Sequence, residues 1–84
     1  MKANVKTKTA LKTVSSALNE AEILFGFDLV KRPNRMELNV HTDKKETQFT
    51  CVNPSVMKNF LDELKALSPD HNEDIEELLL EIAS

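Results

Sequence analysis

Hydrophobic and polar positions recur with a helical period along the first 25 residues. Leu11, Val14, Leu18, Ala21 and Phe25 alternate spacings of three and four, with Ala10, Ala17 and Leu24 beside them. The pattern predicts a helix from about Thr7 to Phe25 whose apolar arc is on the order of 140° wide. Gly26 is the one glycine of the chain and follows the last periodic residue, which reads as a helix stop. Ile23 points away from that arc.

Beyond Gly26 the period falls to two. Phe27-Asp28-Leu29-Val30-Lys31 alternates as a half-buried strand does. Arg32-Pro33-Asn34-Arg35 reads as a turn, with Pro33 presetting φ and Asn34 following it. Met36, Leu38 and Val40 alternate with Glu37, Asn39 and His41 to give a second strand. Thr42 to Glu46 forms a polar loop of hairpin length, and Thr47 to Val52 a third strand with Phe49 and Cys51 on one face. Asn53-Pro54 is a helix start, an N-cap followed by proline at the first helical position. Val56, Phe60, Leu64 and Leu67 make its stripe, with Met57 and Leu61 beside them. Ser68-Pro69 repeats the cap pattern and opens a last helix, from Pro69 or Glu73 to Ala83, that buries Ile75, Leu78, Leu79 and Ile82. Leu80 falls outside its apolar arc. The predicted fold class is α+β: an N-terminal helix, a three-stranded antiparallel meander and two C-terminal helices packed on the single sheet, in the order α-β-β-β-α-α.

Eighty-four residues suit one domain over 1–84, with residues 1–6 as a flexible N-terminus. No apolar run approaches a membrane span of roughly 20 residues. One cysteine forms no internal disulfide, and no apolar segment follows the N-terminal lysines, so the expected setting is cytoplasmic.

Charge changes the picture most. Through Arg35, seven basic residues oppose three acidic ones, about +4; from Met36 onward four oppose eleven, about −7, within a net charge of −3. Six acids and no Lys or Arg lie between Asp70 and Ser84. Asp70, Glu73 and Asp74 complement a helix N-terminus, whereas Glu77 and Glu81 oppose the dipole at the other end. An acidic helix face can occupy a basic groove on a larger macromolecule. Glu73, Glu76, Glu77 and Glu81 would supply charge, with Leu80 as an apolar anchor among them. Small acidic inhibitors of the phage or plasmid type offer an analogy of size and charge.

The alternative is a nucleic-acid-binding regulator that uses Lys31, Arg32, Arg35 and the N-terminal lysines. Against it, Tyr and Trp are absent, and all four Phe residues read as core. Catalytic and metal chemistry find little material. His41 with Asp43 and His71 with Asp74 offer two ligands each, short of the three or four zinc needs. Cys51 faces inward, and a single Gly cannot build a phosphate loop. No enzyme activity, cofactor or metal is expected. Ile23, Leu80, Met57 and Leu61 would make an apolar patch if exposed, which suggests a homodimer. A small ligand or nucleotide held between subunits is a further alternative.

Overall fold

A computed structural model describes residues 5–83, with side chains from Thr7 onward. The expected flexible segment at 1–6 lies largely outside the described residues. The elements are α1 (Val5–Glu20), β1 (Leu24–Arg32), β2 (Arg35–Thr42), β3 (Glu46–Cys51), α2 (Pro54–Leu67), a 3-10 turn (Pro69–His71) and α3 (Asn72–Ala83). This is the α-β-β-β-α-α order that the hydrophobic pattern predicts. The strands form an antiparallel meander in the order β1-β2-β3.

Register decides which residues meet the helices. Val40 stands between Phe27 and Thr47, Leu38 between Leu29 and Phe49, and Met36 between Lys31 and Cys51. Directly opposed residues share a face, so these rows form the side on which the helices pack. Met36, Leu38, Val40, Phe49 and Cys51 are buried there together with Val14, Leu18, Met57, Phe60, Leu61, Leu64, Ile75 and Leu78. The Phe49 and Phe60 rings stack with centroids 4.0 Å apart, tying β3 to α2. Asp28, Val30, Glu37, Asn39, Gln48 and Thr50 line the opposite, polar face.

The first helix is shorter than its periodicity predicts. It ends at Glu20, and Leu24, Phe25 and Gly26 belong to β1. The Ala21 N–H still donates to the Ala17 carbonyl at 3.1 Å, but the next two amides leave the helix. Glu22 and Ile23 N–H both donate to Asp43 Oδ1, at 3.0 and 3.2 Å, and Asp43 N–H returns a bond to the Ile23 carbonyl. A loop twenty residues further on therefore captures the backbone that local periodicity assigns to helix. Gly26 is not the helix stop either. Its φ of 151° is open to glycine alone, and it sits where the β1–β2 register shifts between Leu24 and Gly26. The extra residue, Phe25, is 68% exposed, which corrects its assignment to the core.

Asn53 caps α2 as expected, its side-chain oxygen accepting the Val56 N–H at 3.0 Å. Ser68 does not repeat the pattern. Its hydroxyl makes no cap bond and is buried without a partner. The α2 stripe is also rotated: Met57 and Leu61 are in the core, whereas Leu67 is exposed. Two of the four residues expected to form a self-association patch are therefore unavailable for it. Of α3's expected core set, Ile75 and Leu78 are fully buried, and Leu79 and Ile82 pack against them partly.

Candidate functional site

The sequence of α3 sorts its residues by direction. At about 100° per residue, Ile75, Leu78, Leu79 and Ile82 share the inward side, and Leu80 projects almost opposite them. Glu73, Glu76 and Glu77 precede Leu80 on the same outward surface, and Asp74 and Glu81 lie round the flank. Glu73, Glu76, Glu77 and Glu81 are all exposed. Leu80 is 70% exposed, an apolar side chain one turn beyond Glu76 and Glu77. Glu76 meets a cation from another helix: Lys65 Nζ lies 3.2 Å from its Oε1.

The flank of α3 runs beside β1. Asp74, Glu77, Leu78 and Glu81 line an open groove of about 260 Å³ with Leu24, Phe25, Gly26 and Phe27. At the far end Lys31 Nζ donates to the Glu81 carbonyl. A cation at the helix C-terminus suits the partial negative charge of the final carbonyls. It also fixes α3 along the strand, so the carboxylates of Glu77 and Glu81, which oppose the helix dipole, are held at the β1 edge.

The basic residues of the first hairpin, Lys31, Arg32 and Arg35, line one open groove at its tip, and their charged ends have different partners. Lys31 reaches the helix side, while Arg32 and Arg35 both turn to the open face and meet one carboxylate. Arg32 Nε lies 2.9 Å and Arg35 Nε 2.8 Å from Glu37 Oε2. The Arg35 hydrogen bond first, then that of Arg32, holds the Glu37 carboxyl below its ordinary range. Part of the positive charge that the sequence places here is thus spent within β1 and β2.

The open face holds a second polar arrangement that sequence spacing does not reveal. His41 Nε2 lies 3.0 Å from Asp28 Oδ2, and its Nδ1 lies 3.4 Å from Glu46 Oε2, so one ring spans all three strands. The Asp28 contact above all raises the His41 pKa. Sequence proximity suggests Asp43 as the partner of His41, but Asp43 is turned to the α1–β1 connection. Its carboxyl is held low chiefly by the Ile23 N–H, with help from that of Glu22. The carboxylates of Asp28 and Glu46 meet opposite nitrogens of His41, so their donors do not converge. Among the described residues no group of three or more His, Cys, Asp or Glu side chains is arranged to hold a metal ion. His71 sits in the 3-10 turn, its N–H bonded to the Ser68 carbonyl at 3.0 Å. Cys51 is buried, and burial pushes its thiol pKa up, which disfavours the reactive thiolate.

Among the described residues no helix is long and apolar enough to cross a membrane. Comparison with family models, with curated proteins and with solved structures finds no match.

Proposed function

We propose that this chain is a non-enzymatic protein-binding regulator or inhibitor that presents α3 to a basic site on a larger macromolecule. The observation that carries the reading is Leu80, 70% exposed on the outward surface of the helix beside Glu73, Glu76 and Glu77. Burying one leucine side chain contributes roughly 1.5–3 kcal/mol, and the carboxylates around it would steer a cationic partner. The rival nucleic-acid reading draws less support, because Arg32 and Arg35 share Glu37 and Lys31 bonds to the Glu81 carbonyl. The homodimer expected from the sequence keeps Ile23 and Leu80 as exposed apolar residues but loses Met57 and Leu61 to the core.

Pull-downs from the native host's lysate at low and high salt test the proposal. They compare the wild-type chain, Leu80→Ser, a variant with Glu73, Glu76, Glu77 and Glu81 changed to Gln, and Arg32→Ala/Arg35→Ala. The expected result is one protein partner, lost with the Gln variant, weakened at high salt and by Leu80→Ser, and kept by the arginine variant. Recovery of nucleic acid, abolished by Arg32→Ala/Arg35→Ala, would overturn it.

A further inference from the structure

Strand β1 is an edge. It pairs with β2 on one side, and its other side has no strand partner among the described residues. In an antiparallel pair hydrogen-bonded and non-hydrogen-bonded positions alternate, so alternate residues of β1 turn their N–H and C=O groups outward. The bulge at Leu24/Gly26 leaves Gly26–Arg32 as a continuous seven-residue template.

The cover beneath the sheet stops short of this edge. On β2 and β3 the helix-facing residues Met36, Leu38, Val40, Phe49 and Cys51 are buried, whereas Phe27 and Leu29 in the matching rows of β1 remain half-buried. The other edge is different, because α1 and α2 both pack against β3. Beside β1 the partly covered apolar row meets a row of carboxylates, those of Asp74, Glu77 and Glu81.

We propose that the free edge of β1 and the groove between β1 and α3 bind an extended basic peptide segment by strand addition. The proposal rests on the acidic-helix reading and names the partner's conformation and the sign of its charge. Main-chain bonds to β1 would supply affinity, and alternate side chains would supply specificity. Lys or Arg on the helix side of the added strand would lay aliphatic stems over Phe27 and Leu29 and carry their charge to the carboxylates. The spacings agree. Asp74 to Glu81 spans about 10 Å of helix at 1.5 Å per residue, and cations at alternate positions of a strand stand about 6.8 Å apart. Asp28 adds negative charge on the open face. A second copy of this chain fits the same edge less well, because two-fold pairing of β1 with β1 would bring two acidic α3 flanks together.

The test uses the full chain and a nine-residue peptide alternating lysine and threonine. Its control carries N-methyl groups on the lysine amides, which keeps the charge and removes the N–H groups that would face Phe27, Leu29 and Lys31 of β1. Binding is followed by fluorescence anisotropy and amide hydrogen exchange. The lysine–threonine peptide is expected to bind at least tenfold more tightly than the N-methylated control and to slow exchange in Gly26–Arg32. Asp74→Asn/Glu77→Gln/Glu81→Gln should weaken it about tenfold, and Glu63→Gln, an exposed position on α2, should leave it within about twofold. Equal binding of both peptides, or no binding of either, overturns the edge proposal while the lysate experiment still decides the acidic-helix reading. Binding lost in Leu80→Ser without protection of β1 would retain the acidic helix and overturn the edge. Concentration-dependent protection of Gly26–Arg32 without peptide would replace the basic segment by a second copy.

Discussion

Asn53-Pro54 and Ser68-Pro69 look alike along the chain, and the fold treats them differently. Asn53 reaches the Val56 N–H, so Asn53→Ala should cost about 1 kcal/mol in urea unfolding, as loss of an N-cap does. The Ser68 hydroxyl lies buried without a partner. Ser68→Ala removes an unpaired polar group and should raise the unfolding free energy by about 1 kcal/mol. The two motifs could not be separated from sequence because the difference is burial, which the chain fold determines. His41 makes a third test at this scale. Its pKa lies above the ordinary 6.5, chiefly through Asp28. Its contribution is complete below the unfolded value and lost as pH rises through the higher folded value. Chemical-shift titration should place the His41 midpoint above 6.5, and His41→Asn should remove that loss of stability on the alkaline side. Asp43 and Glu37 act in the opposite direction. Their pKa values lie below 3.8 and 4.5 respectively, so their contributions are lost as pH falls through those lowered values.

Element boundaries were legible where a local signal agrees with the long-range contacts. Pro33-Asn34 turns the first hairpin as expected, because proline's fixed φ serves that turn wherever the strands lead. The apolar alternation of Met36, Leu38 and Val40 likewise names the buried side of β2. The end of α1 was not legible. Leu24 and Phe25 continue a helical period by coincidence, and the bonds that end the helix come from Asp43, across the fold. The same contact explains why Gly26, a helix stop by its neighbours, sits at a strand bulge. Gly26→Ala tests that placement. No atom would crowd the added Cβ, so the cost is that of the positive φ alone. Loss of about 1–3 kcal/mol in thermal or urea unfolding is expected, whereas a glycine at an ordinary strand φ would be replaced at little cost.

Over the whole molecule the strongest sequence signal, the split between a basic N-terminal half and an acidic C-terminal half, is only partly preserved in space. The hairpin arginines are drawn onto Glu37, and Lys31 is drawn to the end of α3, while the carboxylates of α3 stay at the surface. The candidate residues on α3 could be named in advance because a helix face follows from spacing alone. Their neighbour β1 could not, because its position beside α3 depends on register and layer order. The central claim is that α3 is the docking surface, and exchange mapping of the chain bound to the partner recovered from lysate tests it most directly. The account expects slowed amide exchange over Glu73–Glu81. Protection confined to Lys31–Arg35, with α3 unchanged, would contradict it.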